Sequence, residues 1–344
     1  RQLRDSRNEI GFSRELWTEM VEMGWTAILV PEEHGGLGYG YTGLGLVLEE
    51  TGRTLTPSPL LGTALTGAAA LLLAGTPEQR SQVLPGIASG ERILALACDE
   101  LGRHVPEHVE TGVEPRGDGY VLNGRKTAVL DGAAADTFIV SASSGAGISL
   151  FLVPAHAPGV TVRPYPSLDI SVAAEVSFAQ VELPASALLG EFDQGQPVLD
   201  RVLDIARIGI AAELLGVAQE AFERTMQYLK ERKQFGVLIG SFQALQHRAA
   251  QLHTEIEMSK SVVLKALQTL DEGSEDFAEM ASLAKAKVST TAHRATTEAI
   301  QMHGGIGVTD DFDIGFFLKR CRILETVYGD RNFHLDRYAR LRGY

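Results

Sequence analysis

The chain is poor in cysteine: Cys98 and Cys321 are the only two among 344 residues, far apart and without metal-ligand spacing. Neither a disulfide framework nor a zinc or other metal site is expected, and a reducing cytoplasm is the default compartment. No run of Lys and Arg is present and the formal net charge is −13. A polyanion needs a basic face, so a nucleic-acid partner is excluded. Long apolar runs are also missing. The most apolar window, Leu60 to Ala74, is too short for a membrane span, is interrupted by Gly62, Thr63, Thr66 and Gly67, and predicts a buried helix. The first residues are charged and show no secretory n-region and h-region, and the lack of an initiating Met suggests an N-terminal piece that was trimmed or is unresolved. What remains is ordinary globular composition, 44% hydrophobic and 22% charged, in a chain long enough for two or three domains of about 100–200 residues.

From Glu9 to about Gly90 the apolar residues recur at helical spacing: Phe12, Leu16, Met20, Val21 and Met23, then Leu46 to Leu48, then the 60–74 window, then Gln79 to Ile87. This predicts a helical domain over 1–90. The Gly-rich stretch Val30 to Gly40 within it has no Lys-Ser/Thr ending and no β-run before it, and reads as a structural loop. Over 91–190 the pattern changes to short β-rich runs, among them Ile93–Cys98, Tyr120–Gly124, Thr137–Ala142, Ile148–Pro154 and Glu175–Pro184. Gly117-Asp118-Gly119, Asn123-Gly124 and Asp131-Gly132 supply turns, and the spacing predicts a compact antiparallel barrel or sandwich. Over 191–344 long periodic stretches return, Val198–Lys233, Phe242–Leu270 and Phe277–Met302, and with a terminal helix they predict a four-helix bundle. The fold class is α+β.

Two stretches stand out for chemistry. Gln301 to Gly305 ends a helix on Gly304, Gly305 and Gly307, either as an ordinary C-cap or as a place where backbone lies against a ligand. The block ending in Tyr328-Gly329-Asp330 closes the bundle. Elsewhere, Asp204 and Arg207 stand three apart on one helix, where they either pair locally or point into a shared cavity.

The order helical, β, helical coincides with specific local signatures. They are Asn123-Gly-Arg-Lys126 followed by Asp131-Gly132 and Ala135-Asp136; Val176 to Gly190; Arg232-Lys-Gln-Phe-Gly236 with Ser241-Phe-Gln243; and Gln301-Met-His-Gly-Gly305. Together and in this order they make the chain resemble the acyl-CoA dehydrogenase family over essentially its whole length. The resemblance implies an FAD-dependent flavoprotein that oxidises the Cα–Cβ bond of an acyl-CoA thioester. A carboxylate takes the Cα proton while hydride leaves Cβ for flavin N5. It further implies an electron-transferring flavoprotein as electron acceptor and at least a dimer, commonly a tetramer, of identical or different chains.

The resemblance also assigns residues. Arg232 and Phe235 reach the flavin of a neighbouring subunit, and Gln301 with the Gly304-Gly305 backbone holds the same cofactor, with Gln243 in the same set; a fixed guanidinium suits a pyrophosphate. The flavin wall corresponds to Cys98-Asp99 and Val129-Leu130. Asp204 lies near the CoA chain and Arg207 near the catalytic centre. The sequence departs from the family at the wall, where Ala128 stands for the usual Trp and Leu130 for the usual hydroxyl. It departs again at the base. The family's two positions for a catalytic Glu hold Tyr328 and Ala206 here, which leaves Asp330, with Glu325 behind it, as the candidate base. Asp330 is equally suited to cap the helix that follows it. Two readings follow: a dehydrogenase of a divergent branch, resembling subunits for dicarboxylic or steroid-derived substrates, and a non-catalytic or half-site partner that completes its neighbour's flavin site.

Overall fold

The computed structural model describes residues 5–6, 8–274 and 276–344. The chain falls into two compact units, Arg1–Leu44 with Pro57–Ala206, and Gly45–Thr56 with Arg207–Tyr344. The sequence predicts three successive segments; in the structure the helix Gly40–Thr54 (α2) gives its second half to the C-terminal unit. The cause is steric. A Cβ on Gly52 would lie 2.0 Å from the Glu213 carbonyl oxygen, and one on Gly216 would lie 1.8 Å from that of Glu49. Glycines on both helices let their backbones touch, and Arg53 then reaches Glu220 and Glu223 across the contact.

In the first unit, helix Arg14–Glu22 (α1) is capped by Ser13 and buries Trp17 and Met20. The Val30–Gly40 stretch folds back on itself, with the N–H groups of Gly36, Gly38 and Tyr39 donating to the carbonyls of Pro31, Val30 and Ile28. The apolar window is buried as expected, but Leu60–Gly67 is wound as a π-helix before continuing as α3, Ala68–Ala74. Helix α4, Pro77–Ala88, starts with a capping box of Thr76 and Gln79.

The β-rich part is one eight-stranded sheet in the order β6-β7-β3-β2-β4-β5-β8, with β1 paired to β4. The strands are β1 Leu94–Ala97, β2 Gly112–Arg116, β3 Gly119–Val129, β4 Thr137–Ser143, β5 Ile148–Pro154, β6 Val160–Pro166, β7 Val172–Pro184 and β8 Leu188–Leu189. Most pairs are antiparallel; β1 runs parallel to β4. Phe138, Phe151, Val153, Val176 and Phe178 fill its core, each stabilising by about 2 kcal/mol through burial. Strand β3 is irregular against β7 between Lys126 and Val129, where Ala128 takes φ +50. The irregularity leaves Lys126 buried and Ala128 exposed.

The second unit is helical: α5 Gln196–Glu231 (which begins in the first unit), α6 Gln243–Asp271, α7 Phe277–His303, α8 Ile314–Leu324 and α9 Arg331–Leu341. Leu252, Ile256, Val263 and Leu267 of α6 are buried, as are Ala281, Ala284, Val288, Ala292 and Ala295 of α7. Small side chains on α7 let these helices approach closely, and Ser259 Oγ donates to Thr291 Oγ1 at 2.9 Å across them.

Candidate cofactor and acyl-CoA site

The assigned cofactor residues of the bundle form an outward surface. Helix α5 ends at Glu231, and Arg232 leads into a tight hairpin of β9, Lys233–Gln234, and β10, Val237–Leu238. Its two central residues, Phe235 and Gly236, have φ +53 and +81, the left-handed pair that a two-residue hairpin requires. Phe235 is 89% exposed at this tip. Arg232 and Gln243 are exposed as well, and the Arg232 side chain makes no ion pair or hydrogen bond among the described residues. Gln301 and the Gly304-Gly305 turn are exposed, and a Cβ at either glycine would meet nothing within 4 Å.

Two side chains that the sequence did not mark tie these elements together. His303 is buried and stacks on Tyr228 with ring centroids 4.4 Å apart. Its Nδ1 donates to the Ala299 carbonyl at 2.7 Å, and the Tyr228 hydroxyl donates to the His303 carbonyl at 3.4 Å. Burial holds the imidazole below its ordinary pKa, and the bond to Ala299 offsets only part of this. The ring is therefore a neutral joint between the end of α5 and the end of α7.

The assigned wall residues behave differently. Cys98 is buried. The Asp99 carboxylate accepts from His104 Nδ1 at 2.7 Å, and its carbonyl accepts from the Thr127 N–H at 2.8 Å. Glu100, next to it, accepts from Lys126 Nζ and the Glu110 N–H, both at 2.6 Å, and from the Thr111 N–H at 3.0 Å. Lys126 also donates to Ser141 Oγ at 2.9 Å. Burial alone would raise the Glu100 carboxyl, but Lys126 and the bonds to Thr111 hold it below the usual carboxylate range. Val129 belongs to the sheet core, and Leu130 is half-buried. The polar groups of this loop are thus satisfied by one another.

In the bundle, Asp204 and Arg207 are both buried. Arg207 Nε donates to the Tyr328 carbonyl at 3.0 Å, and its guanidinium stands 5.3 Å from the centre of the Phe333 ring. Tyr328 is itself buried, with φ +53, and its carbonyl also accepts from His334 Nε2 at 3.2 Å. The Asp330 carboxylate caps α9: it accepts from the Phe333 N–H at 2.8 Å, and the residue is exposed. It borders a cavity of about 410 Å³ together with Ser289, His293 and Arg331. Glu325 is paired with Arg322 and His293.

Family models for acyl-CoA dehydrogenase match in three parts: the N-terminal domain over residues 2–91, the middle domain over 100–181 and the C-terminal domain over 193–341. A probable acyl-CoA dehydrogenase of Bacillus subtilis, YngJ, is 34% identical, with 92% of this chain and 87% of that protein covered. The chain belongs to the acyl-CoA dehydrogenase family. It is an oxidoreductase of that class, whose reaction is the FAD-dependent α,β-dehydrogenation of an acyl-CoA thioester. Among solved structures, the steroid acyl-CoA dehydrogenase Tcur3481-Tcur3483, in a variant form, is 33% identical with a TM-score of 0.90, covering 98% of this chain and 91% of that one. The ChsE4-ChsE5 complex of Mycobacterium tuberculosis is 28% identical with a TM-score of 0.88, covering 97% and 89%. The family fold, helices, then β-sheet, then helical bundle, is the one described above. No helix of the described residues is long and apolar enough to cross a membrane.

FAD fits one half of this acyl-CoA dehydrogenase chain. The outward surface offers a guanidinium, an exposed aromatic ring, a carboxamide and open backbone at two glycines, a donor set suited to a dinucleotide's phosphates and flat ring. The wall does not fit: Ala128 and Leu130 bring neither ring nor hydroxyl, and the Asp99 and Glu100 carboxylates are already bound within the loop.

Proposed function

We propose that the chain is the half-site subunit of a heteromeric acyl-CoA dehydrogenase. In this reading Arg232, Phe235, Gln243, Gln301 and the Gly304-Gly305 turn complete a flavin site whose ring-facing half and catalytic base come from a neighbouring, different chain. Bound FAD supplies the hydride acceptor for Cβ. Arg232 neutralises phosphate charge, Phe235 covers a flat ring, and Gln301 with the turn N–H groups donates hydrogen bonds. A carboxylate of the neighbour would take the Cα proton, and an electron-transferring flavoprotein would accept the electrons. The observation that carries this reading is at the base position: Tyr328 stands there with its carbonyl held by Arg207, while the nearby Asp330 carboxylate caps α9. Relatives solved as the Tcur3481-Tcur3483 dehydrogenase and the ChsE4-ChsE5 complex carry two named chains each, which supports a heteromeric assembly.

The test is flavin content. The chain purified alone should be colourless and bind added FAD with less than about a tenth of one equivalent. Copurified with its partner chain, it should show flavin in a ratio of one per pair of chains. One tightly held flavin per chain in the chain alone, bleached by an acyl-CoA, would overturn the half-site reading and return the base to this subunit.

A further inference from the structure

Lys285 lies on α7 among Ala281, Ala284 and Val288, with no exposed surface. Its amine donates to the Gly329 carbonyl at 2.9 Å and to the Glu325 carbonyl at 3.1 Å. Those two carbonyls stand at opposite ends of the loop 325–329, so a single nitrogen joins the loop's beginning to its end. Within the loop Tyr328 holds φ +53, a left-handed conformation that is unfavourable for a bulky residue and persists only where the surroundings enforce it. Gly329 has φ +109, and a Cβ there would lie 2.4 Å from Phe333 Cδ1 and 2.8 Å from His334 Nε2. The loop is therefore tightly shaped, and two buried basic side chains shape it: Lys285 at its ends and Arg207 at Tyr328.

The titratable groups around Lys285 come from every side. Arg207 faces it from α5, Cys321 and Glu325 from α8 and its exit, and Asp330 from the start of α9. His334 of α9 shares the Tyr328 carbonyl with Arg207. On the α6 side, Glu255 is paired with Lys287, two residues further along α7. Inside this shell an amine with two N–H groups matches the two carbonyls it meets. A third proton adds a positive charge beside a buried guanidinium.

We propose that Lys285 is a proton-controlled latch on the loop that carries Tyr328: the neutral amine shuts the loop, and protonation beside Arg207 loosens it. Burial, reinforced by Arg207, pushes this amine down to about 7 against the pull of Glu325 and Asp330. Any opening that wets the amine returns it toward the ordinary lysine value of about 10.4. Between these two values the open loop binds the proton and the shut loop does not, so raising the pH favours the shut form by about tenfold per unit. Below about 7 both forms are protonated and the preference no longer changes. The position that the family uses for its base thus has a built-in pH dependence, whichever subunit carries the chemistry.

Amide hydrogen exchange tests this on the purified chain between pH 6 and 9.5, with rates corrected for the intrinsic effect of pH and with peptides of α6 spanning 252–267 as control. Protection of the amides at 325–330 should be level below pH 7, rise by at least thirtyfold between pH 7.5 and 9.5, and leave the control unchanged. Lys285→Met, which cannot titrate, and Lys285→Arg, which stays charged throughout, should both give flat profiles, with Lys285→Arg the less protected. A flat wild-type profile would overturn the latch even if neither variant folds. So would a rise that survives in Lys285→Met, since the titrating group would then be another.

Discussion

Two stretches assigned to the same cofactor are built in opposite ways. The Arg232–Gly236 hairpin and the Gln301–Gly305 turn leave their groups outward and open. The loop that starts at Cys98 turns its carboxylates inward, onto His104, Lys126 and backbone N–H groups. A binding surface keeps donors unsatisfied until the ligand arrives, whereas a structural loop satisfies them in the fold. One chain can therefore retain the part of a shared site that it lends while the part it would use itself turns into scaffold.

The largest effect is expected at the closed loop. Lys126→Met leaves Glu100 buried without its cation and should lower the unfolding free energy by about 3–5 kcal/mol, read in a urea titration. Pairing it with Glu100→Gln should recover part of that loss. A loss under about 1 kcal/mol would mean that the loop is not held shut by this pair. At the open hairpin, Arg232→Ala should leave the urea midpoint in place and weaken FAD binding by the heteromeric assembly. Loss of one charged hydrogen bond, about 1.5–3 kcal/mol, corresponds to roughly 10- to 150-fold in Kd by fluorescence titration. Arg232→Lys should restore only part of it, since an ammonium cannot make the forked contact. Less than twofold weakening would break the contrast between the two stretches. The smallest effect is expected at Asp330: Asp330→Asn keeps a good cap, so stability should change by no more than a few tenths of a kcal/mol, and turnover by the assembly should stay within about twofold. A fall of a hundredfold or more would show that Asp330 moves a proton after all.

Much of the architecture was legible because it depends on local periodicity. The predicted helices Val198–Lys233, Phe242–Leu270 and Phe277–Met302 agree with α5, α6 and α7 to within two residues at each end. The division into two units was not legible, because it rests on contacts between Gly52 and Gly216 and the backbones opposite them, more than 150 positions apart in the chain. A π-helix at Leu60–Gly67 buries the same side chains as an α-helix, so the apolar pattern does not distinguish them. At the site, the outward residues stood in motifs, and the cap at Asp330 was signalled by the residue type at a helix start. The Glu100–Lys126 pair needed the irregularity in β3 that leaves Lys126 buried. Lys285 left one trace, a charged residue on an otherwise small and apolar helix face, and His303 left none beyond lying inside Gln301–Gly305.

The stack of Tyr228 on His303 has a consequence for encounter kinetics. Because it fastens the end of α5 to the end of α7, the hairpin and the glycine turn form one jaw that is set before anything arrives. An incoming chain or dinucleotide meets a ready surface and orders little backbone in settling on it, so differences in grip should appear mainly in how slowly it leaves.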